Sequence, residues 1–236
     1  MAKHPSRKGP GPDDPPAAEP ASGKPSRARR AASPRKDDSG PPRKSRTSRP
    51  DAPSLTGHFL IAMPGMGDPN FARGITFVCQ HDEDGAMGLI VNRLSDYSLG
   101  DVLKQMHMPC ERREVAAAPV LAGGPVQPER GFVLHATGER EWDSSYRVND
   151  GLTVTTSRDI LAAMADGDGP TRVLVTLGYA GWGAGQLEQE LRENAWLTVQ
   201  ADNRVLFDTA LDERWGAAVA LVGINPANLT SYSGRA

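Results

Sequence analysis

The side chains of this sequence that could do chemistry are few and scattered. His4, His58, His81, His107 and His135 show no paired metal-ligand spacing, and Cys79 and Cys110 make no Cys-x-x-Cys. No metal is expected, and two cysteines so differently placed suggest thiols rather than a disulfide scaffold. No Gly-x-Ser-x-Gly elbow occurs, so a serine hydrolase of that type has no support. Glu188, Glu190 and Glu193 crowd one helical stretch, which reads better as a solvated acidic face than as a general acid/base set. What is left is backbone chemistry. The stretch Leu177 to Leu191, LGYAGWGAGQLEQEL, is an apolar run that meets a glycine-dense corner and opens into a helix. Such a corner exposes unpaired N–H groups at the positive end of the helix and could hold an anion near Gln186. It lacks the Gly-Lys-Ser/Thr of a P-loop and the dinucleotide-binding spacing, and Glu188 and Glu190 already complement the helix dipole. A structural corner with Tyr179 and Trp182 packed over it is the simpler reading.

Gly123-Gly124-Pro125 poses the same choice, since glycines there either permit backbone angles closed to other residues or let a partner's backbone approach. Arg130 follows closely and is the best candidate for a charged contact. His135 ends the run Phe132-Val133-Leu134, where a satisfied strand-end histidine outweighs a base or ligand. Asp68 reads as a turn cap. A pocket made by Asp68, Asn92, Arg130 and His135 is the alternative site that spacing leaves open. No cofactor is implied.

The elements that would position these residues follow from periodicity. Phe59 to Ala62 reads as a first strand ended by Pro64-Gly65, and Asp68-Pro69-Asn70-Phe71 as a short helical turn. Gly74 to Gln80 and Ala86 to Asn92 are β-rich runs that should pair antiparallel across the loop 81–85. Ser98 to Asp101 predicts a capping box, with Val102, Leu103 and Met106 following at helical spacing. Further strands are expected at 119–122, 131–136, 152–155 and 172–177, with a helix from Ser157 to Gly167. Gln186 to Asn194 places Leu187 and Leu191 on one helical face. Residues 196–200 and 204–207, flanking Ala201-Asp202-Asn203, suggest a second hairpin, and the last helix runs from about Asp212 to Val222. Antiparallel hairpins dominate, which points to an α+β fold rather than a doubly wound sheet.

Charge divides the chain. Residues 1–55 hold 13 Lys and Arg against 6 Asp and Glu, a net of +7, with 12 of the 20 prolines and no aromatic residue. Such a segment offers too little apolar surface to offset its ordering entropy, so it is read as a disordered basic arm. Its functional reading is a tether for nucleic acid or an acidic surface through Arg27, Arg29, Arg30, Arg43, Lys44, Arg46 and Arg49; a dispensable solvated extension is the simpler one. Residues 56–236 hold 14 Lys and Arg against 23 Asp and Glu, a net of −9, and are long enough for one compact domain. No apolar signal-peptide core precedes Phe59 and no later run approaches the roughly 18 apolar residues of a span, so a soluble cytoplasmic protein with no membrane contact is expected.

Several separated segments, in order, carry a family resemblance: Leu60-Ile61-Ala62-Met63-Pro64 with Met66, Asp68 and Phe71; Gly85 to Arg93; Gly123-Gly124-Pro125-Val126 with Arg130 to His135; and Gly178 to Trp182 with Gly185 to Glu188, Glu190 and Leu191. Asn194, Trp196, Phe207 and Trp215 continue the pattern. On these residues the chain resembles the YqgE/AlgH family of bacterial proteins. Pro69-Asn70 and Gly183-Ala184 are small departures, and the basic arm lies outside the resemblance. The resemblance implies a single α+β domain whose bent, mostly antiparallel sheet closes into an incomplete barrel flanked by helices. It also implies a regulatory role, since one branch is named for transcriptional control of alginate synthesis, while no catalytic mechanism belongs to the family as a whole. The leading expectation is a non-enzymatic regulatory or interaction protein with specific protein partners. A nucleic-acid-associated protein acting through the arm, or an anion- or small-molecule-binding enzyme using the glycine corners, are the alternatives.

Overall fold

Residues 53–138, 140–226 and 229 are described by the computed structural model, so of the arm read over residues 1–55 all but the last three residues lie outside the described residues, and Ser54 and Leu55 bond His81. Alternation decides how the strands bury. In β1 (His58–Ala62), Phe59 and Ile61 enter one apolar cluster while Leu60 and Ala62 enter another on the opposite face. β2 (Ile75–Asp82) and β3 (Gly85–Ile90) follow as the expected antiparallel hairpin. Its loop is shorter than the five residues expected, because Asp82 and Gly85 still pair and leave only Glu83 and Asp84 outside the ladder. Gly85, at φ 137°, supplies the backbone angle that this tight reversal needs.

β4 (Leu94–Ser98) is too polar to have stood out in the sequence, and leads into α1 (Leu99–Gln105) through the predicted capping box of Ser98 and Asp101. α2 (Arg113–Ala116), β5 (Pro119–Ala122), β6 (Val126–Ala136), β7 (Ser145–Asn149) and β8 (Leu152–Thr155) precede α3 (Arg158–Asp166), which stops at Gly167 in the left-handed region as expected. β9 (Val173–Gly183) is almost twice the length of the predicted strand. Most of the supposed glycine corner, Gly178 to Gly183, is therefore strand. α4 (Gln186–Arg192) and β10 (Trp196–Gln200) follow. The second hairpin is not formed. Residues 203–207 make α5 (Asn203–Phe207), because Asp202 accepts the Arg204 N–H at 2.7 Å as a helix cap, and the helix buries Val205 and Leu206. α6 (Arg214–Leu221) ends the described elements.

Among the described residues the strands form one curled sheet in the order β10-β1-β2-β3-β9-β6-β8-β7, a half-barrel of α+β class. Every pairing is antiparallel except β5 on β9. Phe59, Phe77, Leu89, Phe132 and Leu134 line one face and meet Val205, Leu206, Trp215 and Val219 of α5 and α6. Val133 and Val175 line the other face beneath Leu99 and Leu103 of α1 and Ile160, Leu161 and Met164 of α3. Covering on both faces is why these antiparallel strands read as continuous apolar runs. Each fully buried large side chain contributes about 1.5–3 kcal/mol. Arg214 is an exception to the apolar packing: its Nη1 donates to the Val91 carbonyl at 2.5 Å and its Nε to the Thr209 carbonyl at 3.0 Å, tying α6 to the end of the sheet.

Candidate functional site

The glycine segments meet each other rather than a ligand. β3 and β5 lie end to end along the same side of β9, so the sheet forks where β3 finishes. Gly123 sits at the fork, its N–H donating to the Leu177 carbonyl at 2.7 Å while its carbonyl accepts the Ile90 N–H at 2.8 Å. A Cβ on Gly123 would overlap the Gly178 carbonyl, one on Gly124 the Tyr179 carbonyl, and one on Gly178 the Gly124 carbonyl. Gly124 and Gly178 also hold φ angles of 152° and 72°. Two backbone segments, 123–124 and 178–179, thus approach more closely than any side chain permits. Tyr179 packs its ring edge-on to Phe132 at 5.7 Å.

The turn into α4 is closed from within. The Gly183 N–H donates to the Gln186 side-chain oxygen at 3.1 Å, and the Gln186 amide donates to Glu190 Oε1 at 2.9 Å. Glu190 Oε2 accepts two indole N–H groups, from Trp182 at 2.9 Å and Trp196 at 2.8 Å. The two rings meet edge-on at 6.0 Å with Phe71 against both. The acidic face expected to be solvated is thus partly structural, because two buried tryptophans need acceptors. Glu188 is likewise engaged. The Leu55 N–H donates to His81 Nδ1 at 3.0 Å, so His81 carries its proton on Nε2, which donates to Glu188 Oε1 at 3.0 Å.

The four residues of the alternative pocket do not converge. Asp68 accepts the Asn70 N–H at 2.8 Å in an exposed turn. Asn92 braces the start of β2, accepting from the Ile75 N–H at 2.8 Å and donating to the Arg73 carbonyl at 2.9 Å. His135 and Arg130 line separate cavities, and Asp68 and Asn92 line neither. The His135 cavity, about 260 Å³, is polar, with Thr137, Ser145, Thr153, Arg140 and Arg147 in its wall. His135 Nδ1 lies 2.9 Å from the Ala136 carbonyl and so carries the proton, leaving Nε2 to accept from the Thr155 hydroxyl at 2.9 Å. Burial holds His135 below its ordinary pKa, opposed by the Ala136 carbonyl. Cys79 is buried in the core, which pushes its thiol pKa up.

Arg130 leads to a groove of about 650 Å³. Its floor is the face of the sheet carrying Val133, Val175 and Leu177. Val102 of α1 and Met106 just past its end form one wall, Leu161 and Arg158 of α3 another, and Pro128 to Gly131 the third. The third wall exists because β6 leaves register with β9: Val126 pairs with Tyr179 but Gly131 with Leu177, so β6 carries extra residues as a bulge. Gln127 within it takes φ 47°, a strained angle for a side-chain-bearing residue. Arg158 closes one side by donating to the Met106 carbonyl at 2.6 Å. The Arg130 guanidinium lies 5.3 Å over the Phe132 ring. Neither arginine has an ion-pair partner among the described residues. Sequence reasoning singled out Arg130 but missed the groove, which is assembled from an unpredicted bulge, an unpredicted strand and two helices. Among the described residues no group of three His, Cys, Asp or Glu could hold a metal, and no helix is long and apolar enough to cross a membrane.

Comparison with known proteins adds a family to this geometry. A family described as AlgH-like matches residues 59–227. A UPF0301 protein of Xanthomonas campestris pv. campestris is 56% identical over 182 residues, covering 77% of this chain and 96% of the relative. A UPF0301 protein of Stenotrophomonas maltophilia is 55% identical over the same shares. The solution structure of the AlgH protein from Pseudomonas aeruginosa superposes with a TM-score of 0.66 at 46% identity, covering 80% of this chain and all of that one. A crystal structure of protein DIP2367 from Corynebacterium diphtheriae, at TM-score 0.59 and 22% identity over 78% of this chain and 94% of its own, shares the fold.

Proposed function

The chain belongs to the AlgH-like family, and from that premise we propose that it is a non-enzymatic, cytoplasmic regulatory protein whose folded body holds a protein partner in the groove between α1, α3 and the β6 bulge. The observation that carries this reading is the groove itself, with its apolar floor of Val133, Val175 and Leu177 and its cationic rim. Several side chains that could serve as acids or bases are spent on structure: Glu190 on two indoles, Glu188 on His81, and His135 on Ala136 and Thr155. Regulation of transcription is compatible with this reading and needs no DNA contact, since a body of net charge −9 repels phosphate.

The test is a quantitative pull-down from nuclease-treated extract, comparing the full chain with residues 53–236. The shorter chain begins at residue 53 because Leu55 and Ser54 bond His81. Partners retained equally by both support the reading, and partners lost with residues 1–52 contradict it. The +7 charge of residues 1–55 motivates a second reading, nucleic-acid binding through the arm. It requires an affinity that falls steeply with salt and disappears when residues 1–52 are deleted.

A further inference from the structure

We infer that the segment held in the groove is an extended, acidic and apolar stretch of a partner protein, with apolar side chains on the floor and carboxylates at the rim; this rests on the reading of the groove as the partner site. Charge is the first observation. The described body is acidic, yet the rim carries Arg130 and Arg158 against the single carboxylate of Glu129. The two guanidiniums have no carboxylate partner among the described residues, so an incoming carboxylate displaces none. An open strand edge beside the groove is the second. Tyr97 lines the groove and also belongs to β4, where Tyr97 and Leu94 are 55% and 59% exposed. β4 pairs only with β5 among the described residues, which leaves its other edge without a neighbour. A compact small molecule could fill 650 Å³ but would leave that edge bare, whereas an extended chain runs from the groove past Tyr97 onto the edge in one path.

The experiment is an NMR titration of the full chain with two synthetic twelve-residue peptides, one alternating leucine with glutamate and the other leucine with lysine. Binding is read at groove resonances, Val102, Val133, Leu161 and Val175, because the basic arm also attracts acidic peptides. The glutamate peptide is expected to shift these resonances and to bind at least about tenfold more tightly than the lysine peptide. The double variant Arg130→Glu, Arg158→Glu is expected to abolish or reverse that preference. Gly131→Phe, which adds bulk where nothing lies within 4 Å of a built Cβ, should block both peptides with the fold intact. Equal affinity for both peptides, or a preference unchanged in the double variant, overturns the inference. So do groove shifts produced by decanoate when neither peptide produces any, which would make the site one for a small amphiphile. If Gly131→Phe loses the native partner while the peptides show no preference, the inference falls and the groove reading stands. If Gly131→Phe keeps the native partner, the groove reading itself falls.

Discussion

Glu190 is the residue whose role departs most from its appearance in the sequence, where it is one of three glutamates on a helix. Its carboxylate satisfies two indole N–H groups whose rings are 5% exposed, so Glu190→Ala strands both donors in the core. We expect a loss of about 2–4 kcal/mol in chemical denaturation, with Glu190→Gln recovering part of it through its remaining oxygen. A loss under about 0.5 kcal/mol would show the node to be unimportant. Nothing in the spacing of Trp182, Glu190 and Trp196 reveals the node, because it joins a strand, a helix and a further strand. His135 was legible as a satisfied strand-end histidine, although its partner Thr155 lies on another strand. Burial lowers its pKa from the ordinary 6.5, so the unfolded chain binds this proton more readily. Its contribution to stability is therefore complete above pH 6.5 and is lost as the pH falls through the folded value. Melting temperatures of the protein and of His135→Gln, measured from pH 8 downward, should converge on the acid side. Parallel curves would contradict this assignment.

The elements legible in the sequence were those with local signatures. The β2–β3 hairpin, the capping box of α1 and the glycine stop of α3 each depend on residues within one turn of the chain. α5 was mistaken for a strand because Val205, Leu206 and Phe207 are β-prone, and the cap at Asp202 outweighs that preference only with burial against α6. The sheet fork was hidden for a different reason. It brings Gly123 and Gly124 against Gly178 across more than fifty residues, so the glycines looked like corners of separate loops. Gly124→Ala should cost about 3 kcal/mol or more, because the added Cβ meets the Tyr179 carbonyl at a φ of 152°. A melting temperature within a degree or two of the parent would refute the fork as described. The end of α4 offers a milder case. Asn194 holds φ 58° just past the helix, its N–H donating to the Leu191 carbonyl at 3.0 Å. Asn194→Ala should destabilise by about 1 kcal/mol while Asn194→Gly is neutral or stabilising, an ordering that equilibrium unfolding reads directly.

At the scale of the whole molecule, a two-faced sheet leaves a groove of about 650 Å³ where α1 and α3 stand apart over β6 and β9 and the β6 bulge forms the remaining wall. The sequence carried the family and the α+β class, since those depend on ordered motifs and on the balance of hairpins. It did not carry the groove, because a concavity is the space between elements and depends on how they are spaced in three dimensions. The central claim is that the folded body works by binding a partner in this groove. Gly131 is on the groove wall and two residues from Val133 on the same strand face, and a Cβ there meets nothing within 4 Å, so a phenylalanine adds its bulk over the groove floor. The most direct measurement is therefore the retention of native partners from nuclease-treated extract by the full chain and by its Gly131→Phe variant, matched for melting temperature. The account predicts that the parent chain retains a partner and that the variant loses it at least about tenfold. Equal retention by both would contradict it.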